Sequence, residues 1–164
     1  MDMRQSQQTD NRTGIDQGLP RFIVFIDADC IFCSNSAAWM LRNDPRGQVH
    51  IAALQGETAR RVLPALGIDD DYLQSIRADN SRIDSIICVD GVGGDNPRLY
   101  GRSRASRMIA RHMGFPWNLL GWLSWWIPDP VLDWLYNLVK RNRHRLAKER
   151  CALPGPELRL RYLD

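Results

Sequence analysis

Two cysteines three residues apart are the strongest chemical feature of this sequence. Cys30 and Cys33 enclose Ile31 and Phe32, and the motif follows an apolar run and opens a predicted helix. Cysteines at positions i and i+3 face the same side of a helix, close enough to form a disulfide. Unpaired N–H groups and the dipole of the first helical turn favour a thiolate, which is the nucleophile of disulfide exchange. The motif therefore predicts reversible dithiol–disulfide chemistry.

The position of each cysteine predicts its role. Cys30, at the helix start, is the expected attacking thiol, and Cys33, one turn deeper, is expected to resolve the mixed disulfide. Asp27 and Asp29 flank the motif. Either carboxylate is a candidate to accept or relay the proton of Cys33, and Asp27 also to support the loop. Because their charge opposes a thiolate at Cys30, the direction of exchange stays open, whether the substrate is a protein or a small thiol or disulfide.

A metal site is the main alternative for a pair of cysteines. Closed zinc sites usually take four ligands, often as two close pairs, whereas this sequence has one close pair. A two-thiolate carrier of a soft ion such as Cu(I) is a second alternative. Redox chemistry is favoured over both, and it needs no bound organic cofactor because the electrons reside on the sulfurs. Cys88 is expected to be a small buried residue, and Cys151 an idle exposed thiol.

The motif must be positioned by the strand before it and the helix after it. Residues 22–26 form an apolar run without alternation, which is typical of a strand buried on both faces. Further strands are predicted at residues 49–53, 86–89 and 98–101. Helices are predicted at residues 35–42, 56–66, 69–78, 103–113 and 131–147. A parallel unit followed by a hairpin predicts an α/β fold with a mixed sheet flanked by helices.

Two predicted helices carry further expectations. Ser103 is expected to cap the helix that runs to residue 113. The last helix has an apolar stripe that is predicted to be buried: Val131, Trp134, Leu135, Leu138 and Val139. We interpret a second set on the same helix as an internal polar network that docks it: Asp133, Tyr136, Arg141 and Arg143. Docking is favoured because Asp133, Tyr136 and Lys140 share one face of the helix.

At these residues the sequence resembles the DCC-type thiol-disulfide oxidoreductases, a family named for an Asp and two cysteines in a D-x-x-C-x-x-C motif. Here the motif consists of Asp27, Cys30 and Cys33. Other segments resemble later strands and helices of the family: residues 51–55, 84–90, 102–105 and 133–143. The resemblance implies a thioredoxin-like fold and a redox-active cysteine pair.

Length and composition set the organisation of the chain. The 164 residues suit one domain, and 44% hydrophobic with 25% charged residues exclude a collagen-like, coiled-coil or wholly disordered protein. The polar N-terminus lacks the apolar core of a secretion signal, so we expect a cytoplasmic protein. We predict a disordered leader at residues 1–20, a thioredoxin-like core at 21–114, a helical extension packed on the core at 115–151, and a tail at 152–164.

The C-terminal region suggests a second, non-enzymatic function. Four of the six tryptophans lie between Trp117 and Trp126, and a basic run extends from Lys140 to Arg150. Such a region would hold a membrane surface or an acidic partner, with the CxxC motif as a redox sensor or metal clip. The net charge of +3 does not call for nucleic acid, and no aromatic residue interrupts the basic run to stack on bases.

Overall fold

The architecture is that of a small mixed sheet with helices on both faces. A computed structural model describes residues 18–28, 30–68, 71, 86–94, 96–146 and 159–164. The strands are β1 (Phe22–Ile26), β2 (His50–Ala53), β3 (Ile86–Asp90) and β4 (Arg98–Gly101). The helices are α1 (Ile31–Arg42), α2 (Glu57–Val62), α3 (Arg102–His112), α4 (Trp117–Leu123) and α5 (Asp129–Leu146). Short 3₁₀ turns lie at Pro64–Leu66 and Ser124–Trp126.

The sheet has the strand order β2-β1-β3-β4, with β1 at its centre. β1 runs parallel to β2 and antiparallel to β3, and β3 runs antiparallel to β4. Ile26 is opposite Ala53 on one side and Ile86 on the other. The ends of β1, β2 and β4 and the start of β3 therefore lie along one edge of the sheet. This mixed α/β arrangement is consistent with the thioredoxin-like fold that the resemblance implied.

The core has one layer on each face of the sheet, because side chains along β1 alternate between the faces. Phe22, Val24 and Ile26 pack with buried residues of α1 and α3. Ile23 and Phe25 pack on the other face, with the buried residues of α2. All five residues of β1 are buried, which confirms a strand covered on both faces.

The predicted strands are confirmed within one residue at each end, and the helix boundaries shift slightly. The helix predicted at residues 56–66 is α2 followed by a 3₁₀ turn. The predicted helix at residues 69–78 and most of the predicted leader lie outside the described residues. Ser103 is not an N-cap, because Gly101 occupies that position and α3 begins at Arg102. The Ser103 hydroxyl instead donates a hydrogen bond to the Asp133 carboxylate over 2.5 Å.

The predicted burial of the apolar stripe on α5 is wrong. Its members are exposed, from 37% at Val139 to 66% at Trp134. The helix docks through a different face, on which Asp129, Leu132, Asp133 and Tyr136 are partly buried. Asp133 bonds to α3 as described, so its predicted docking role is confirmed, whereas the side chain of Lys140 lies outside the described part.

The C-terminal residues lie along the outer edge of β2. Tyr162 pairs with Ile51 in a parallel bridge. The Asp164 carboxylate accepts hydrogen bonds from the Ala53 N–H and the Thr58 hydroxyl, over 3.1 and 3.0 Å. This segment therefore covers backbone groups that an edge strand would otherwise leave unpaired.

Within the described residues, no helix combines the length and the apolar character that crossing a membrane requires.

Candidate functional site

The dithiol loop begins where the central strand ends. β1 stops at Ile26, and the chain turns through Asp27 and Ala28 before α1 starts at Ile31. The Cys30 N–H donates to the Asp27 carbonyl over 3.3 Å, which closes the turn. The fully buried strand β1 thus places the motif at the edge of the sheet. Asp29 lies outside the described residues, so its predicted role stays a prediction.

Cys30 is the N-cap of α1. Its backbone is extended, with φ −95° and ψ 109°, and its Sγ accepts a hydrogen bond from the Cys33 N–H over 3.3 Å. Serine, threonine or aspartate usually fills this position with an oxygen acceptor. Here the Cys30 sulfur takes the place of that oxygen and accepts one of the N–H groups that a helix start leaves unpaired. The first turn of α1 contains no acidic residue.

The two thiols differ in access to solvent. Cys30 is partly exposed, whereas Cys33 is 1% exposed and belongs to the core beneath α1. Both are free thiols in this structure. An accessible sulfur beside a buried one is the arrangement that nucleophile and resolving thiol need. The structure therefore brings together the predicted pair.

Asp27 is buried directly behind the motif, at 2% exposure. Its Oδ1 accepts a hydrogen bond from Gln55 Nε2 over 2.8 Å. The carbonyl oxygen of the same Gln55 amide accepts the Ala28 N–H over 3.3 Å. Gln55 thus holds both the carboxylate and the backbone of the loop. A buried carboxylate needs such partners because removing it from water is costly.

Gln55 is the site residue that sequence reasoning missed. It lies 28 residues from Asp27 in the chain. One pattern would have found it: a polar residue just after a buried strand that runs parallel to β1. Carboxyl ends of parallel strands meet at one sheet edge, so the side chains that follow them are neighbours.

The two residues between the cysteines are apolar and at least partly exposed to solvent. Ile31, between the two cysteines, is 43% exposed, and Phe32 is partly buried. These side chains offer contact area to a substrate next to Cys30. At the same sheet edge, Arg102 opens α3 with φ 53°, in the left-handed region that a non-glycine residue rarely adopts.

Cys88 does not join the site. Cys88 is fully buried in β3 and pairs with Val24 across the sheet. Burial, and secondarily the Asp90 carboxylate, strongly raises the pKa of the Cys88 thiol. The expected small buried residue is therefore confirmed, and Cys88 is unreactive at neutral pH. Cys151 lies outside the described part of the chain.

In the described ranges, no group of three or more His, Cys, Asp or Glu side chains is arranged to hold a metal ion. The cysteine pair alone supplies two sulfur ligands, fewer than the four that closed zinc sites use.

Comparison with known proteins gives two curated relatives and one family. The family model described as DCC1-like thiol-disulfide oxidoreductase matches residues 24–149. The protein YuxK of Bacillus subtilis (strain 168) is 27% identical over 147 residues, which are 88% of this chain and 96% of that protein. A chloroplastic DCC family protein of Arabidopsis thaliana is 27% identical over 126 residues, which are 77% of this chain and 64% of that protein. No solved structure matches the chain.

Proposed function

The chain belongs to the DCC1-like thiol-disulfide oxidoreductase family, and from that premise we propose that it is an enzyme exchanging a dithiol and a disulfide through Cys30 and Cys33. The observation that carries the proposal is the hydrogen bond from the Cys33 N–H to the Cys30 Sγ at the start of α1. It places the accessible sulfur at the end of a helix where negative charge is stabilised.

The exchange has two steps. The Cys30 thiolate attacks one sulfur of a substrate disulfide, forms a mixed disulfide and releases the other substrate sulfur as a thiolate. Cys33 then loses its proton and attacks the Cys30 sulfur, which forms the Cys30–Cys33 disulfide and releases the second substrate thiolate. The substrate gains two electrons and the protein loses two. Two molecules of a low-molecular-weight thiol, or one protein dithiol, restore the reduced pair and are themselves oxidised to a disulfide.

Asp27 and Gln55 have supporting roles in this proposal. The Gln55 amide fixes the Asp27 carboxylate and the Ala28 N–H, which keeps the turn before Cys30 in one conformation. Asp27 is also our candidate to accept the proton that Cys33 loses in the second step, because it is a buried carboxylate at the same loop. Ile31 and Phe32 would contact the apolar part of the substrate.

A redox titration tests the proposal. Purified protein is equilibrated in glutathione buffers, the free thiols are alkylated, and the intact mass is measured both without and after chelation of metals. We expect one reversible two-electron transition, whose midpoint assigns reductase or oxidase activity. In a reducing cytosol the reductase direction is the more natural one, but the potentials of related dithiols span about 150 mV, so the measured midpoint decides.

Three variants localise the transition. Cys33→Ser should stop at a mixed disulfide with glutathione on Cys30, and Cys30→Ser should lower exchange at least about a thousandfold, because the nucleophile is gone. Cys88→Ala is the matched control and should titrate like the parent protein. A parent protein that shows no transition, or one that persists in Cys30→Ser, contradicts the assignment. A bound metal in the mass spectrum with no transition would favour the binding-module alternative.

A further inference from the structure

An exposed apolar surface lies on the C-terminal helices, outside the dithiol motif. Four tryptophans of α4, the turn after it and α5 are between 60% and 79% exposed: Trp122, Trp125, Trp126 and Trp134. We call these four side chains the tryptophan surface. Leucines of the same elements, such as Leu123 at 53%, are also exposed. Contiguous apolar patches of this kind mark interaction sites on soluble proteins.

The fold presents this surface instead of hiding it. Gly121 faces α3 so closely that an added Cβ would lie 2.9 Å from the Arg111 backbone nitrogen and 3.0 Å from the Ala110 side chain. That close approach fixes which side of α4 faces the core. The neighbouring Trp122 and Leu123 are consequently directed away from it.

A cationic cavity adjoins the tryptophan surface. Its volume is about 870 Å³, and Trp125 and Ile127 form part of its wall. The charged lining comprises four arginines and two aspartates: Arg98, Arg104, Arg107, Arg111, Asp90 and Asp129. The lining therefore carries a net charge of +2 with His112 neutral.

Of the two aspartates that line the cavity, Asp129 is already engaged, whereas Asp90 is counted in the net charge given above. Asp129 forms ion pairs with Arg104 and Arg107 over 2.9 and 2.6 Å. Asp133 accepts the hydrogen bond from Ser103. By contrast, the side chains of Arg98 and Arg111 are exposed and form no hydrogen bond or ion pair with any other residue that the structure describes. The charge left for a partner is therefore positive.

We propose that this region docks on an anionic phospholipid bilayer, with lipid phosphates in the arginine-lined cavity and the tryptophan surface at the level of the headgroups. Tryptophan prefers that interface because its ring is apolar and its N–H is polar. Arginines beside it attract anionic lipids. No described helix can span the membrane, so the contact is peripheral. The proposal is independent of the thiol chemistry.

Two features favour a bilayer over a second copy of the chain. A symmetric dimer would place the same patch against itself and bring the uncompensated Arg98 and Arg111 of both copies together. A bilayer presents anionic headgroups next to an apolar layer. The headgroups would face the arginine-lined cavity, and the apolar layer would face the adjoining tryptophans.

Vesicle binding of the full chain tests the proposal. The probes are vesicles of phosphatidylcholine alone and of phosphatidylcholine in which a third of the lipid is phosphatidylglycerol. We expect partition at least about 25-fold stronger into the anionic vesicles, with a blue shift of tryptophan fluorescence. High salt should reduce the difference.

Paired variants separate charge from apolar contact. Arg98→Gln with Arg111→Gln should lower partition into anionic vesicles about 25-fold, because each cation near the surface contributes about fivefold. Trp122→Ala with Trp126→Ala should lower partition into both vesicle types about tenfold or more. The matched controls are Arg60→Gln on α2, and Leu160→Ala, whose side chain is 86% exposed. Both should bind like the parent.

Three results would overturn the proposal. One is equal partition of parent and variants. Another is a concentration-dependent dimer that depends on Trp122 and Trp126 while vesicles bind nothing, which would assign the surface to a second copy. The third is binding of inorganic phosphate that depends on Arg98 and Arg111, with no binding to vesicles, which would make the cavity a site for a free anion. The redox titration is unaffected in each case, so a failure here does not bear on the proposed exchange.

Discussion

The sheet edge that carries Cys30 and Cys33, here called the dithiol edge, buries a group that is usually exposed. The C-terminal helices α4 and α5 expose side chains that are usually buried. At the dithiol edge a carboxylate, Asp27, is almost fully buried and held by Gln55. On α4 and α5, tryptophans that usually lie inside a protein face solvent. Both arrangements cost stability, because one desolvates a charge and the other leaves apolar surface in water. A protein keeps such costs where they serve a function.

The difference indicates which physical property each proposed function depends on. The dithiol site depends on fixed geometry, since one helix turn joins the Cys30 and Cys33 positions and one amide holds the loop. The tryptophan surface depends on exposed area and charge, and requires no fixed partner geometry. Substitutions at the first region should therefore alter chemistry or folding, and substitutions at the second should alter only association.

The largest contrast is expected between two tryptophans nine residues apart. Trp117 packs edge-on against Trp39 at 4.7 Å, and its Nε1–H donates to the Asn43 side chain over 3.1 Å. Trp117→Ala should lower the free energy of unfolding by about 2 kcal/mol, because it removes packing and a hydrogen bond from a partly buried site. Trp126→Ala, at 79% exposure, should change it by less than about 0.5 kcal/mol.

Urea denaturation measures the free energy of unfolding of both variants. The slope of that free energy against urea concentration should equal the parent value, which checks that unfolding stays two-state. Equal losses would mean that the tryptophan surface is part of the core packing, and its substitution would then alter folding and not association alone.

Sequence reasoning was sufficient for the sheet and for the cysteine pair. The uninterrupted apolar run of β1 could only be satisfied by burial on both faces, and a CxxC motif directly after it had to lie at the start of the next helix. Local chemistry decided these features, and the structure agrees with them.

Sequence reasoning was insufficient where the burial or the partner of a residue depends on an element distant in the chain. The apolar stripe of α5 is as periodic as that of a buried helix, but burial depends on whether another element covers it. The docking face is polar instead, through Asp133 and Asp129, whose partners lie on α3. Gln55 was missed for the same reason, since only the parallel pairing of β1 and β2 brings it to Asp27.

A second effect, of similar size on stability, is expected at Gln55. Gln55→Ala removes the hydrogen bond to the buried Asp27 carboxylate, and should lower stability by about 2 kcal/mol and exchange about tenfold. Gln48→Ala is the control, because that glutamine is exposed. In the Asp27→Asn background the Gln55→Ala loss should shrink, which a double-mutant cycle on unfolding and on exchange rate measures. Additive losses would show that Gln55 acts independently of the carboxylate.

The smallest effect is a pH dependence confined to the C-terminal helices. The hydrogen bond from Arg104, with the charges of Arg104 and Arg107, lowers the pKa of Asp129 below its ordinary value of 3.8. A carboxyl whose pKa is lowered by folding stabilises the docked state above that ordinary value, and this contribution is lost as the pH falls through the folded-state pKa. Acidification through that range should therefore release the start of α5 from α3. Fluorescence of Trp125, which shares the cavity with Asp129, reports the release.

Asp129→Asn should remove that acid-dependent step while leaving the Cys30–Cys33 midpoint at neutral pH unchanged, because the substitution keeps the shape of the side chain and deletes its charge. Asp71→Asn, on an acid outside this ion-pair cluster, is the control and should retain the step. A midpoint that moved with Asp129 would show that α5 influences the dithiol edge through α3, whose first residues lie at that edge. The two regions would then be one coupled unit, and the independence on which their contrast rests would be lost.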